Sequence, residues 1–118
     1  MAERLRAAGI SFANGHPTAY TAALTNHSCV QLVAVAEVPG ATARSDMACD
    51  FAEERGVPHL DDYVRMLEQF RPDIVSLCVP PDRNPEVVIE CARRGIHVIS
   101  EKPFAATVSE AEQADYVV

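Results

Sequence analysis

The sequence contains no long apolar run. Apolar residues make up 48% of its 118 residues, but no window approaches the roughly 18 consecutive apolar residues of a membrane span. The first ten residues, MAERLRAAGI, also lack the apolar core of a signal peptide. These absences predict a soluble, cytoplasmic protein with no membrane partner.

Basic residues are scarce as well. The chain has 10 lysine and arginine residues against 17 aspartate and glutamate residues, which gives a net charge of −7. A charge of this sign repels the phosphates of nucleic acids and of anionic lipids. We therefore expect no nucleic-acid partner.

Cysteine and histidine offer no metal site. The four cysteines lie in or beside apolar segments without C-x-x-C spacing, which favours reduced, packed thiols over a metal site or a disulfide framework. His27, His59 and His97 have no partners at metal-ligand spacing. We therefore predict no bound metal.

Apolar segments of strand length alternate with helix-permitting segments along the chain. Strands are predicted at residues 5–12, 30–36, 57–60, 72–81 and 96–100. Helices are predicted at residues 17–26, 41–56, 62–70 and 84–95, with Asp61 as the N-cap of the third helix and Thr107 or Ser109 opening a fifth. Strands that are apolar throughout belong in a parallel sheet covered on both faces.

This order of elements predicts one α/β domain over residues 1–118. Right-handed crossovers give five strands a doubly wound parallel sheet of order 3-2-1-4-5, the Rossmann dinucleotide-binding fold with its sixth strand missing. The fifth strand is then an open edge unless another element or subunit covers it. We therefore expect the chain to be part of a larger protein that forms homo-oligomers.

The loop FANGHP follows the first strand, where this fold holds a pyrophosphate on a glycine-rich turn. The three glycines of the G-x-G-x-x-G pattern fall on Phe12, Asn14 and Pro17 and are all replaced. Asn14 adopts a left-handed backbone at low cost, and Gly15 permits close approach of a phosphate. The loop is either an altered phosphate turn or a plain connection.

Glu37 stands at the end of the second strand, where an acid accepts hydrogen bonds from the adenosine ribose hydroxyls. A carboxylate there repels a 2′-phosphate, so NAD is favoured over NADP. Arg44 lies nearby, so NADP is not excluded as the cofactor. The alternative for Glu37 is a solvated acid at a strand end.

Two further loops offer candidate ligand groups. His16 and Tyr20 are one helical turn apart, so they can share a helix face near the entrance of the cofactor-binding site. Pro80 and Asn84 lie in the loop VPPDRNP, whose paired prolines direct it over the expected position of a nicotinamide ring. A capping or surface role for His16 and a rigid connector for the proline loop are the structural alternatives.

Lys102 is the strongest catalytic candidate. It leaves the carboxyl edge of the sheet after the fifth strand, where its ammonium group can donate to a substrate oxygen or a ribose hydroxyl. Glu101 is placed to orient it, and Pro103 to fix the turn. A solvated surface pair of Glu101 and Lys102 is the alternative.

Three segments resemble a known family. HVISEKP after ECARRG, PDIVSLCVPP and FAEERGVPHLDDYVRMLE are similar to the N-terminal domain of the glucose-fructose oxidoreductase, inositol dehydrogenase and rhizopine-catabolism (Gfo/Idh/MocA) oxidoreductases. The resemblance covers nearly the whole chain. It implies an NAD(P)-binding Rossmann domain, followed in the family by a substrate domain, and hydride transfer between nicotinamide and a sugar or cyclitol hydroxyl carbon.

The resemblance also implies roles for single residues. Lys102 matches the active-site lysine, with Glu101 and Pro103 as its supports and a Lys102–Pro103 peptide expected to be cis. Glu37 matches the acid that binds the adenosine ribose, and Pro80 the proline of a TP motif. The family's substrate domain is absent from these 118 residues, so the chain alone is expected not to turn over substrate.

Departures from the family pattern leave two hypotheses. Val79 replaces the usual threonine, Asn84 stands where many members have histidine, and the glycine pattern is lost. The first hypothesis is the nucleotide-binding part of an NAD-dependent dehydrogenase that acts on a small polyol or sugar. The second is a non-catalytic module that has lost dinucleotide binding and acts by oligomerising through its open edge.

Overall fold

Strands and helices alternate along the chain, as the sequence predicts. The structure, a computed structural model, describes residues 4–41 and 43–117, so residues 1–3, 42 and 118 of the predicted domain lie outside the described part. The strands are β1 (Leu5–Ile10), β2 (Val30–Ala36), β3 (His59–Leu60), β4 (Ile74–Leu77) and β5 (His97–Ser100). The helices are α1 (Pro17–Thr25), α2 (Ser45–Arg55), α3 (Tyr63–Phe70), α4 (Asn84–Arg93) and α5 (Val108–Val117).

The five strands form one parallel sheet in the order β3-β2-β1-β4-β5. This confirms the predicted order and the predicted doubly wound fold. The direction of the chain across the sheet reverses between β1 and β4, and open α/β sheets bind ligands beyond the carboxyl ends of the strands at such a point.

The central strands β1, β2 and β4 are largely buried on both faces, whereas β5 is partly exposed, with Ile99 47% exposed. Successive strand residues point to opposite sides of the sheet. On β2, Ala34 and Ala36 belong to the larger core with α3, α4 and α5, whereas Val35 belongs to a smaller core with α2 and the Phe12 ring. Each fully buried aliphatic side chain, such as Ile10, contributes roughly 1.5–3 kcal/mol to folding. This coverage explains why the central strands are apolar, but it does not extend to the predicted fifth strand.

Some element boundaries differ from those predicted. β1 ends at Ile10 instead of residue 12, because Ser11 takes a left-handed backbone (φ 62°) and its hydroxyl accepts a hydrogen bond from the Ala13 N–H at 3.1 Å. β4 ends at Leu77, well before the paired prolines. Residues 11–12 and 78–81, predicted as strand ends, are thus loops at the carboxyl edge.

The helix caps are partly as predicted. Asp61 as N-cap of α3 was the wrong choice: Asp62 is the cap, and its side chain accepts from the Val64 N–H at 2.9 Å. Thr107 caps α5 by accepting from the Glu110 N–H at 3.1 Å. No helix among the described residues is both long and apolar enough to cross a membrane.

Candidate functional site

The turn after β1 meets β4 and β5 at the carboxyl edge of the sheet. Its left-handed residues are Ser11 and Gly15 (φ 62° and 67°), so the left-handed backbone considered for Asn14 is not present. Instead, the Asn14 N–H donates to the Cys78 carbonyl at 2.9 Å, just beyond the end of β4. The turn is therefore held against the sheet by its own backbone.

Glu101 fills the space above this turn. Its carboxylate accepts from the His16 N–H at 3.3 Å and from the Lys102 N–H at 3.1 Å, and the side chain is buried. A Cβ atom added to Gly15 would overlap Glu101 Cγ and lie 2.5 Å from the carboxyl carbon. Glu101 thus joins the turn after β1 to the residue that carries the candidate amine.

The start of α1 retains only part of the usual anion-binding donor set. The first four N–H groups of a helix have no partner within it. Here the His16 N–H is bound by Glu101, and Pro17 has none, which leaves the N–H groups of Thr18 and Ala19 in the first turn. These two, together with the positive end of the helix dipole, can receive a phosphate.

Lys102 lies exposed in the wall of a cavity at this edge. Its carbonyl accepts from Asn14 Nδ2 at 3.4 Å, and the Lys102–Pro103 peptide is cis, as the family resemblance implies. The cavity has a volume of about 370 Å³ and is lined by the ends of β4 and β5 and by α1, through Tyr20, Ser76, Leu77, Ile99, Ser100, Glu101 and Lys102. The Lys102 side chain is therefore attached at the carboxyl edge of the sheet, beside this cavity.

Asn84 and Pro80 hold the neighbouring loops in place. Asn84 is 1% exposed, and its Nδ2 donates to Ser100 Oγ at 2.9 Å and to the Phe104 carbonyl at 2.8 Å. Its Oδ1 is buried without a hydrogen-bond partner among the described residues. The Pro80 carbonyl accepts from the Asn84 N–H at 2.9 Å, which begins α4. Asn84 thus braces both sides of the Lys102–Pro103 bend.

Glu37 is buried at the end of β2. It is 2% exposed, and neither carboxyl oxygen has a hydrogen-bond partner among the described residues. His59 Nε2, the polar atom that faces it, lies 3.7 Å from Glu37 Oε1 and is also unpartnered. Burial raises the pKa of Glu37 to about 7 and lowers the pKa of His59.

Two residues near Glu37 differ in how far the sequence predicted them. No functional role was predicted for His59. Its position beside Glu37 follows only from the register of β2 and β3, in which Val35 pairs with His59. Arg44 was considered for a 2′-phosphate, and its guanidinium donates to the Gly15 carbonyl at 2.9 Å. Arg44 therefore contacts the turn after β1.

The remaining candidates lie as follows. The rings of His16 and Tyr20 contact edge to face, with centroids 6.1 Å apart, so the predicted shared face is present. The Phe12 ring is fully buried against Phe51, with centroids 5.5 Å apart. Phe12 can therefore reach a ligand only through its backbone. No group of His, Cys, Asp and Glu in residues 4–41 and 43–117 is arranged to hold a metal ion.

The residues fit a dinucleotide laid across this edge. Glu37 offers two unpartnered buried oxygens at the end of β2. Thr18 and Ala19 offer N–H donors at the start of α1. The opposite edge of the sheet also has a cleft, of about 630 Å³ beside Leu5, Asp73 and His97, but it lies at the amino ends of the strands.

The chain matches the model of a protein family. Residues 8–116 match the model of the Gfo/Idh/MocA oxidoreductase family, described as having an NAD-binding Rossmann fold. A comparison with curated proteins gives no match. The family match extends over most of the chain and includes each of the loops described above.

Solved structures share the fold. Myo-inositol 2-dehydrogenase from Lactobacillus plantarum is 24% identical over 98% of this chain and 33% of its own, with a TM-score of 0.81. The WlbA dehydrogenase from Chromobacterium violaceum, in complex with NADH and UDP-GlcNAcA, is 25% identical over 98% of this chain and 32% of its own, with a TM-score of 0.78.

A third structure is a mutant of KijD10, a 3-ketoreductase from Actinomadura kijaniata, in complex with TDP-benzene and NADP. It is 25% identical over 98% of this chain and 34% of its own, with a TM-score of 0.73. The chain thus spans about a third of the length of these three relatives.

Proposed function

Because the chain belongs to the Gfo/Idh/MocA family of oxidoreductases and forms its NAD-binding Rossmann domain, we propose that it serves hydride transfer at a sugar or cyclitol hydroxyl carbon and that Lys102 polarises the oxygen on that carbon. The nicotinamide, when bound, gives or accepts the hydride at that carbon. The chain's own part is to bind the dinucleotide along the carboxyl edge of the sheet and to present the amine of Lys102.

The position of Lys102 is the observation that carries this proposal. It lines the cavity between the ends of β4 and β5, and its backbone is fixed on one side by Asn14 and on the other by Glu101. An ammonium group held there can donate a hydrogen bond to the reacting oxygen and stabilise the negative charge that develops on it.

The dinucleotide would be held by groups spread along the same edge. Glu37 offers its oxygens to the adenosine ribose, and the first turn of α1 offers N–H groups to the phosphates. His16, Tyr20 and Pro80 border the path toward Lys102. Glu101 and Pro103 act through Lys102 by setting the bend that carries it.

The substrate class is supported by two relatives of equal identity. The WlbA structure holds a nucleotide-linked sugar acid, and the KijD10 structure is that of a 3-ketoreductase. Both are 25% identical to this chain over a third of their own length. We infer that the complete activity belongs to a protein of their length, in which this chain supplies the cofactor-binding domain.

The sharpest test uses the fact that Lys102 is the only lysine in the chain. Reductive ¹³C-methylation then gives one lysine signal besides that of the chain terminus, and NADH titration can be followed at that signal and by calorimetry. We expect NADH to bind and to shift the Lys102 signal. Adenosine diphosphate ribose, which lacks the nicotinamide, should bind with a smaller shift at Lys102.

The control variants separate binding from placement. Lys102→Met should keep NADH binding within a few-fold, because the adenosine and phosphate contacts remain, whereas Glu37→Gln should weaken it. A folded chain that binds neither ligand would overturn the proposal. Equal Lys102 shifts with both ligands would place the nicotinamide elsewhere and remove the role of Lys102.

A further inference from the structure

Three buried polar atoms without partners lie together at the end of β2. They are both carboxyl oxygens of Glu37 and Nε2 of His59, and Oε1 and Nε2 are 3.7 Å apart. A buried polar atom without a partner costs about 1–3 kcal/mol, so a cluster of three calls for an explanation. The cluster lies at the adenosine end of the site proposed above.

The backbone fixes these side chains against each other. Val35 pairs with His59 in the parallel ladder, and the Glu37 N–H donates to the Leu60 carbonyl at 2.9 Å. The Glu37 carbonyl accepts from the Tyr63 N–H at 2.9 Å. Since strand side chains alternate, Glu37 and His59 project to the same face as Val35, the face that α2 covers.

One proton satisfies two of the three atoms. A protonated Glu37 donates to a neutral His59 Nε2, or an imidazolium donates to the carboxylate, and an approach of about 1 Å brings the pair to hydrogen-bond distance. Both forms have no net charge. A proton with two sites is lost at a higher pH than a proton confined to either site alone.

We propose that His59 is a specificity-determining residue: by sharing a proton with Glu37, it sets the pH at which the adenosine site begins to reject a 2′-phosphate. While the pair holds its proton, it is neutral, and Arg44 beside Gly15 attracts the phosphate. When the proton leaves to solvent, an uncompensated carboxylate remains and repels NADP. NAD, which has only ribose hydroxyls there, keeps its acceptor throughout.

Several other titratable groups surround the pair. Burial, with nearby carboxylates including Glu37, raises the pKa of Cys49 on α2, so this thiol stays neutral near pH 7. Asp46 and Asp50 on α2 and Asp61 after β3 are the other acids in this region. Burial raises the pKa of Glu37 to about 7, which puts its titration in an accessible range.

The test measures the Kd of NADH and of NADPH between pH 6.5 and 9 for the 118-residue chain. We expect the ratio of the NADPH Kd to the NADH Kd to rise about tenfold across this range. In His59→Gln, which cannot take the proton, the rise should move down by about one pH unit, the size expected for a coupled pair. Glu37→Gln should abolish the rise. Any pH dependence of the ratio that remains in this variant reports the titration of the 2′-phosphate itself.

Each outcome decides one question. The inference rests on the proposed function, so a folded chain that binds neither nucleotide overturns both. If NADH binds but the ratio does not change with pH, or changes identically in the wild type and in His59→Gln, the role of His59 is overturned and the proposed function stands. In the free chain, Glu37→Gln should also change the pH at which the His59 ring ¹⁵N signals titrate, and an unchanged titration would contradict the shared proton.

Discussion

The contact between Gly15 and Glu101 is the tightest feature of the site at the residue scale. Gly15 has a left-handed backbone (φ 67°), and a side chain on it would overlap Glu101. Gly56 has the same φ of 67° at the end of α2, but nothing lies within 4 Å of its missing Cβ. The two glycines therefore separate the cost of the backbone conformation from the cost of the overlap.

We expect Gly56→Ala to lower the free energy of unfolding by about 1–2 kcal/mol, the cost of a left-handed alanine. Gly15→Ala should cost at least 1 kcal/mol more, because Glu101 must leave the His16 N–H. Urea unfolding of the two variants measures the difference.

The double variant Gly15→Ala/Glu101→Ala serves as the control for this overlap. Removing the Glu101 side chain should bring the remaining cost of Gly15→Ala down to that of Gly56→Ala. Equal costs of the two single glycine variants would contradict the contact.

Asn84 is the second residue whose role is open to a direct measurement. Its Nδ2 holds Ser100 and Phe104 on the two sides of the bend at Lys102. Asn84→Ala should lower stability by about 2 kcal/mol, since each lost hydrogen bond costs about 1 kcal/mol. Ser100→Ala removes one of the two bonds together with the long 3.3 Å bond from Ser100 Oγ to the Glu101 carbonyl, but it keeps the bond to Phe104, and it should cost less than Asn84→Ala by urea unfolding. An unchanged free energy of unfolding in Asn84→Ala would show that these two hydrogen bonds do not stabilise the fold.

At the scale of elements, the helix ends show how local signals compete. Asp61 and Asp62 are adjacent, and both are good N-cap residues. The structure uses Asp62, because its backbone is extended (φ −131°, ψ 114°) and its carboxylate reaches the Val64 N–H. Composition cannot distinguish such neighbours, whereas the geometry does.

The pair makes a matched test of the α3 cap. Asp62→Ala should lower the free energy of unfolding by about 1 kcal/mol, the usual effect of losing an N-cap. Asp61→Ala removes an exposed carboxylate that caps nothing and should change stability by less than about 0.5 kcal/mol. Thermal unfolding followed by circular dichroism measures both, and a larger effect of Asp61→Ala would refute the assignment.

The order of the elements could be predicted because each strand is a short apolar run and each helix has its own boundary residue. Gly56, with its left-handed backbone, ends α2 where the sequence places a helix stop. The site could be predicted only as far as single loops. The contact of Glu37 with His59 depends on the pairing of β2 with β3, which no single loop of the sequence specifies.

Contacts between residues that are far apart in the sequence were the least predictable. Glu101 and Gly15 are far apart in the chain, and only the sheet order brings the end of β5 beside the turn after β1. Likewise, Asn84 was expected to line the ligand site, but its side chain is buried against Ser100 and Phe104. A sequence shows which residues follow strands, but not which of them touch.

At the scale of the whole molecule, the two edges of the sheet differ in character. The carboxyl edge carries Glu37, Glu101 and Lys102, whereas the cleft at the amino edge is lined by Leu5, Asp73 and neighbouring residues. Open parallel sheets concentrate ligand binding at the carboxyl edge because helix N-termini and strand ends meet there. β5 is also the last strand at its side of the described sheet, so homo-oligomer formation stays a prediction.

This asymmetry predicts an uneven response to cofactor. At an NADH concentration of 100 times its Kd, the free energy of unfolding should rise by about 2.7 kcal/mol. Amides that exchange by local opening should be protected mainly in the segments 11–18, 37–45 and 101–107, because the dinucleotide would cover these loops. Hydrogen exchange read by mass spectrometry should show little change in segment 71–73, which lies at the amino edge. Equal protection of the two edges would mean that NADH acts only through global stability and not by binding along the carboxyl ends of the strands.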